Sequence, residues 1–258
     1  MKALATLAVT LALGAGSAVA DTAKPTIVLV HGAFADGSSW NKVIPLLQAK
    51  GYTVVAVHDP LSSLPDDVAQ TTRAIDAQPG DVILVGHSYG GFVISDAGND
   101  PKVKALVYVA AFAPDANETI TDMGKGQPVP PWQPLLKVDS GGYATLPTDA
   151  VLKYFASDLS PAEAKNVAAT QGPISTSVFT AKLKSAAPAW KSKPSWYVRA
   201  ESDQMIDPNG QAAMAKRANA TVTSVKASHV VMLSHPADVA KVILAAAAGA
   251  NAPAPAKK

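Results

Sequence analysis

Short runs of β-branched and aliphatic residues recur along the chain, each followed by a stretch whose apolar positions return at helical spacing. The first run, Thr26-Ile27-Val28-Leu29-Val30-His31, passes through Gly32 and the loop Asp36-Gly37-Ser38-Ser39 into a helix predicted over 40–47. A second strand is predicted over 53–58, where Asp59-Pro60 stops it, and a helix over 66–78 ends at Pro79-Gly80. The third run, Val82-Ile83-Leu84-Val85, leads directly into Gly86-His87-Ser88-Tyr89-Gly90-Gly91 and a helix reaching Ala97. Val103–Val109, 195–199 and Thr221–Val225 are the remaining strands, and a last helix is predicted over 237–248. Apolar runs of this length are expected of strands covered by helices, so the pattern predicts an α/β chain with a six-stranded, mostly parallel sheet and helices on both faces.

Residues 112–192 interrupt that alternation and read as an inserted cap. The stretch to about 147 is rich in Pro and Gly and is expected to be irregular. A helix is predicted over 149–156. Ser160-Pro161-Ala162-Glu163 combines an N-cap Ser, Pro at the first helical position and Glu at the third, a specific start signal. Aromatic area concentrates here in Trp132, Tyr143, Tyr154, Phe155, Phe179 and Trp190, each read first as packing material. No internal repeat is visible, and residues 21–250 read as one domain with an embedded lid.

The two ends have a different character. Residues 1–20 carry one Lys, an apolar stretch and the small-x-small end Ala18-Val19-Ala20, the pattern of a secretory signal peptide cleaved before Asp21. Residues 251–258, Asn-Ala-Pro-Ala-Pro-Ala-Lys-Lys, have the composition of an extended tail. The formal charge of +2, from 22 basic and 20 acidic side chains, gives no reason to expect a nucleic-acid partner. Lys2, Lys257 and Lys258 all lie in those ends, so the body between them is slightly negative. No later apolar run is long enough for stable membrane insertion, so the expected product is exported, to the periplasm or beyond. The chain has no cysteine, and its five histidines are widely separated, which excludes disulfides, a thiolate nucleophile and a regular metal-ligand motif. The oligomeric state is not encoded in any of these patterns.

Gly86-His87-Ser88-Tyr89-Gly90 is a G-x-S-x-G sequence between a predicted strand and a predicted helix, the context of a nucleophile elbow. Together with His31-Gly32-Ala33-Phe34 after the first strand, it makes residues 25–248 resemble the α/β-hydrolase family. The similarity is to its compact capped group of plant esterases, hydroxynitrile lyases and bacterial relatives. That resemblance implies a nucleophilic Ser88, an acid after the penultimate strand and a His after the last. Asp203 and His229 occupy those loops in the expected chain order. Asp207 competes for the acid, with a helix-capping role as its other reading, and Asp115 is a displaced alternative. His235, just before Pro236, competes with His229 but also reads as a cap or packing residue. His31 is read as a structural hydrogen-bonding group, His87 as pointing away from the nucleophile, and His58 as without a role.

A hydroxyl needs a base to become a nucleophile, and an acid to hold that base in the right tautomer. The expected reaction is therefore ester hydrolysis through an acyl-enzyme, with a small, largely apolar or aryl ester as the only partner required and no cofactor. Oxyanion donors are expected from the backbone N–H groups of Tyr89 and Ala33, with Phe34 as the alternative to Ala33. The resemblance also admits amidase and hydroxynitrile-lyase activities. Relatives with the latter carry Thr where this chain has Gly32 and Lys where it has Val230. A noncatalytic small-molecule binder is the reading from a different functional class, and the haloalkane-dehalogenase branch is disfavoured because its nucleophile is Asp.

Overall fold

The computed structural model describes residues 24–126 and 128–250. The signal segment 1–20 and the tail 251–258 expected from sequence lie outside the described residues. The first half of the body runs β1 (Thr26–Val30), α1 (Ile44–Gln48), β2 (Val54–Ala56), α2 (Leu64–Asp76), β3 (Val82–His87), α3 (Gly90–Ala97) and β4 (Val103–Val109). A long segment follows with α4 (Ile120–Met123), β5 (Lys137–Val138), β6 (Tyr143–Thr145), α5 (Thr148–Ala150), α6 (Pro161–Thr170) and β7 (Ile174–Ser175). The chain then returns through β8 (Ser195–Ala200), α7 (Pro208–Arg217), β9 (Thr221–Val225), α8 (Val231–Ser234) and α9 (Pro236–Ala250).

All six predicted body strands form one sheet in the order β2-β1-β3-β4-β8-β9, and every pairing is parallel. Every residue of β1 and β3 is buried, as their unbroken apolar runs require when both faces are covered. Helices α2 and α3 pack together on one face, α1 and α9 on the other. The chain moves outward from β1 to β2 and then crosses back to β3, so the strand order reverses between β1 and β3. Loops leaving the carboxyl ends of strands on the two sides of such a reversal diverge and leave a crevice. The His31–Phe34 loop and the G-x-S-x-G turn are the two that flank it.

Several boundaries differ from the sequence pattern for identifiable reasons. The predicted 40–47 helix divides into a 3-10 turn, Gly37–Trp40, and α1, because Pro45 lacks the N–H an interior position needs and sits in α1's first turn. The predicted strand 53–58 narrows to β2. Helix α2 begins at Leu64, where the Ser63 hydroxyl accepts from the Asp66 N–H at 3.2 Å. The segment expected to be irregular contains α4 and two strands, and β5-β6-β7 form a separate antiparallel sheet. The predicted helix 149–156 is one α-helical turn, α5, followed by a π-helical turn Val151–Phe155 closed by a 2.8 Å bond from the Ala156 N–H to the Val151 carbonyl. Before α6, Ser160 and Glu163 form both bonds of the expected capping box.

Candidate active site

Ser88 lies between β3 and α3 with φ of +52°, a left-handed conformation uncommon for a residue with a Cβ. The turn is held from both sides. The Ser88 N–H donates to the Val109 carbonyl at 3.3 Å, and the Ser88 carbonyl accepts from the N–H groups of Gly91 at 3.0 Å and Phe112 at 3.1 Å. Glycine is required beside it: a Cβ on Gly90 would lie 2.7 Å from the His31 carbonyl oxygen. This geometry lifts the Ser88 side chain out of the strand and towards the crevice at the β1/β3 reversal.

There the hydroxyl meets His229, from the loop between β9 and α8. The imidazole Nε2 is 2.9 Å from Ser88 Oγ, and its Nδ1 is 2.8 Å from Asp203 Oδ2. Asp203 lies in the loop after β8, and two backbone bonds tie that loop to the histidine loop, Glu201 N–H to Val225 O at 2.9 Å and Ser202 N–H to Ala227 O at 3.0 Å. Both side chains are almost wholly buried. Four donors converge on the Asp203 carboxylate. Oδ1 accepts the N–H groups of Met205 at 2.7 Å and Ile206 at 3.1 Å, and Oδ2 accepts Gln211 Nε2 at 2.7 Å as well as His229. Such a carboxylate has no freedom to turn away from the ring.

The competing residues are elsewhere. Asp207 is the N-cap of α7, its Oδ2 accepting the Gly210 N–H at 2.9 Å. Asp115 pairs with Lys191 at 2.5 Å on the surface. His235 Nδ1 is 3.0 Å from its neighbour Ser234 Oγ, immediately ahead of α9, and His58 is exposed. His31 braces the loop after β1: its Nδ1 bonds the Gly32 carbonyl at 2.9 Å, and its Nε2 accepts the Asp59 N–H at 3.1 Å. His87 turns away from Ser88, but its ring packs 4.7 Å from that of His229, and its Nε2 donates to the His229 carbonyl at 3.0 Å. Burial holds both His31 and His87 below the usual imidazole range, His87 well below it.

The N–H groups of Ala33, Phe34 and Tyr89 form no hydrogen bond among the described residues, and all three residues border the chamber containing Ser88 and His229. Phe34 takes a positive φ of +57°, which bends the loop after β1 around that chamber. The space is small, about 50 Å3, and its other walls include Phe112, Trp132, Phe155, Phe179, Met205 and Ile206. Three of the six aromatics first read as packing, Trp132, Phe155 and Phe179, therefore line it. Trp132 also donates from Nε1 to the Met205 carbonyl at 3.2 Å and meets the Phe34 ring edge-on.

Three supporting residues carry no signal in the sequence pattern. Gln211 on α7 is buried and bridges Asp203 to the Ala200 N–H, which donates to its Oε1 at 3.0 Å. Asp158, from the segment between β4 and β8, accepts both the backbone N–H of Ser228 at 2.8 Å and its hydroxyl, one residue before His229. Asp67 on α2 accepts the Tyr89 hydroxyl at 2.7 Å and the Leu61 N–H at 2.8 Å. Asp67 shares its buried surroundings with Asp59. Burial and then mutual repulsion push Asp59 up to about 8, and burial raises Asp67 to about 6 against the opposing pull of the Tyr89 bond. No signature distinguishes such buried partners from ordinary surface polar residues before the fold brings them together.

The chain is similar to alpha/beta hydrolase nvfD of Aspergillus novofumigatus (strain IBT 16806), 29% identical over 246 residues that cover 87% of this chain and 97% of that protein. Two Arabidopsis thaliana proteins match over shorter stretches. Methylesterase 1 is 31% identical across 42% of this chain and 49% of its own length, and alpha-hydroxynitrile lyase 34% identical across 36% and 42%. A crystallised pyrethroid hydrolase from Sphingobium faniae JZ-2 superposes with a TM-score of 0.73 at 28% identity, covering 89% of this chain and 98% of its own. The pattern of the alpha/beta hydrolase family matches residues 27–242, and with its parallel sheet and strand-to-helix serine turn the chain belongs to that family.

Proposed function

We propose that the protein is a serine esterase that cleaves a small, largely apolar or aryl carboxylic ester through an acyl-enzyme. The observation that carries this reading is the continuous chain from Ser88 Oγ to His229 Nε2 and from His229 Nδ1 to Asp203 Oδ2, at 2.9 and 2.8 Å. Asp203 holds the proton on Nδ1, which leaves the Nε2 lone pair free to take the proton of Ser88 as its oxygen attacks the ester carbonyl. The carbonyl oxygen becomes an oxyanion, met by the N–H of Tyr89 and that of Ala33, with Phe34 as the alternative. As the tetrahedral adduct collapses, His229 passes the proton to the departing alkoxide. Water, deprotonated in turn by His229, then attacks the acyl-enzyme, and as this second adduct collapses His229 returns the proton to Ser88 Oγ and the acid is released. The segment between β4 and β8 acts as the cap, supplying aromatic walls that keep the chamber apolar.

The lyase relative raises a second reading, and two residues weigh against it. A Cβ on Gly32 would lie 2.7 Å from Ser88 Cβ and 3.0 Å from His87 Nδ1, so this backbone has no room for the threonine that lyase activity implies. Val230, the neighbour of His229, is buried and offers no positive charge for cyanide. Amide hydrolysis requires the same groups but a poorer leaving group, and ranks behind ester cleavage.

Turnover of short aryl esters, amides and cyanohydrins by the purified protein tests these readings together. Esters are expected to be cleaved, with Ser88→Ala and His229→Ala falling to background and Asp203→Asn losing about 10⁴-fold in kcat. Ester turnover that survives Ser88→Ala, or ligand binding without turnover, overturns the mechanism. Loss in Asp207→Asn with Asp203→Asn active would move the acid. Residues 1–20 motivate export, and the form recovered outside the cytoplasm is then expected to begin at Asp21; recovery only in the cytoplasm overturns that assignment.

A further inference from the structure

A second cavity, about 210 Å3, lies on the other side of a thin wall from the chamber containing Ser88. Three segments form that wall, and each contributes to both spaces. In the loop after β1, Ala33 faces the inner chamber and Ala35 the outer cavity; after β9, His229 faces inward and Val230 outward; Phe155 borders both. Phe155 is buried at the end of the π-helical turn, its ring 5.1 Å from the imidazole of His229. Such turns are rare and frequently occur at functional sites. The outer cavity is floored by Ala35, Leu159, Val167 and Leu233 and opens past the exposed Asn41 and Asn166.

Size separates the two spaces. The inner chamber has about 50 Å3 and the outer cavity about 210 Å3, roughly four times as much. The smaller space suits a short acyl group better than a whole apolar ester. Direction follows from the proposed chemistry. The alkoxide must leave past His229, which protonates it, and both Phe155, whose ring is 5.1 Å from that imidazole, and Val230, the next residue, border the outer cavity.

Resting on the esterase reading, we propose that the outer cavity is the binding site for the alcohol moiety, with Phe155 as the gate between it and the reacting carbonyl. The favoured substrate is an ester of a short acid and a larger, mainly apolar alcohol whose far end reaches the polar rim. Displacement of Phe155 lets the alkyl or aryl group pass beside His229, and the released alcohol departs through the outer opening.

Two isomeric esters of the same composition, hexyl acetate and methyl heptanoate, reverse the carbonyl within one chain and isolate the assignment. The full-length protein is expected to cleave hexyl acetate with kcat/KM at least about tenfold higher. Val167→Trp, which fills the outer cavity from α6, is expected to lower the hexyl acetate to methyl acetate ratio of kcat/KM by about tenfold. Asn166→Trp at the exposed rim provides a second filling variant should Val167→Trp fail to fold, and is expected to lower the same ratio. Equal cleavage of the isomers, preference for methyl heptanoate, or a ratio unmoved in a folded filling variant overturns the alcohol site while leaving Ser88-dependent esterase activity intact. Failure to cleave any of these esters instead removes the esterase reading itself.

Discussion

At the scale of single residues, Asp59 is a buried carboxyl whose environment opposes its ordinary charged state. One of its oxygens accepts a 3.3 Å bond from Thr71 and the other, Oδ2, has no hydrogen-bond partner among the described residues, while Asp67 stands nearby. Its folded pKa of about 8 lies above the unfolded value, so the folded protein binds this proton more tightly than the unfolded chain does. Stability linked to it is therefore full below about pH 4 and is lost as pH rises through 8. Asp59→Asn keeps the shape and removes the charge, and its Tm relative to the parent protein is expected to rise between pH 5 and pH 8 by on the order of 5 °C. Parallel pH curves for the two proteins would show that Asp59 is not held protonated. Asp59 and Asp67 also show where sequence reading stops. Ser88 is singled out by its motif between a strand and a helix, and Asp203 and His229 by the chain order that the family resemblance implies. Gln211, Asp158 and Asp67 acquire their partners only through tertiary contact, from positions where Gln and Asp are ordinarily solvated.

At the scale of elements, legibility follows burial and length. The body strands were readable because burial on both faces forces long apolar runs. Strands β5, β6 and β7 have two or three residues each, and β5 is exposed, so burial imposed no pattern on them. The edge strand β9 is buried only at Val225, yet its β-branched composition still identified it. Helix α6 was legible through its N-terminus alone, and that end can be tested. The Ser160 hydroxyl accepts the Glu163 N–H at 3.3 Å and the Glu163 carboxylate accepts the Ser160 N–H at 3.2 Å, satisfying two donors that the first turn leaves without intrahelical partners. Ser160→Ala is expected to cost about 1 kcal/mol, read as a lower urea midpoint at unchanged m-value. The exposed Lys42–Glu163 pair at 2.6 Å joins the same helix to the body, but exposed pairs contribute about 0–1 kcal/mol, so Lys42→Ala is expected to move the midpoint less. A larger effect of Lys42→Ala than of Ser160→Ala would place the helix's anchorage in the ion pair.

At the scale of the whole molecule, the question is whether residues between β4 and β8 melt with the sheet or apart from it. Their buried side chains do not form a separate cluster: Phe155, Ile174, Val178 and Trp190 belong to the same continuous apolar core as β1, β3 and β4. Polar fastenings run between the same parts. Trp132 Nε1 donates to the Met205 carbonyl at 3.2 Å, Arg217 of α7 grips Glu118 through two bonds of 2.7 and 2.8 Å, and Asp158 holds Ser228 beside His229. A cap that opened independently would expose that core and release the histidine loop together, so the structure favours loss of both in one step. The expected outcome is a single calorimetric transition. Tryptophan fluorescence offers a second probe, since Trp132 and Trp190 lie in the segment and Trp40 and Trp196 in the body. The fluorescence change and far-UV circular dichroism should then follow one curve, and ester turnover should disappear along it. An early fluorescence transition that abolishes turnover while the sheet signal persists would instead make the cap an autonomous unit, with the triad assembled only while the cap is docked.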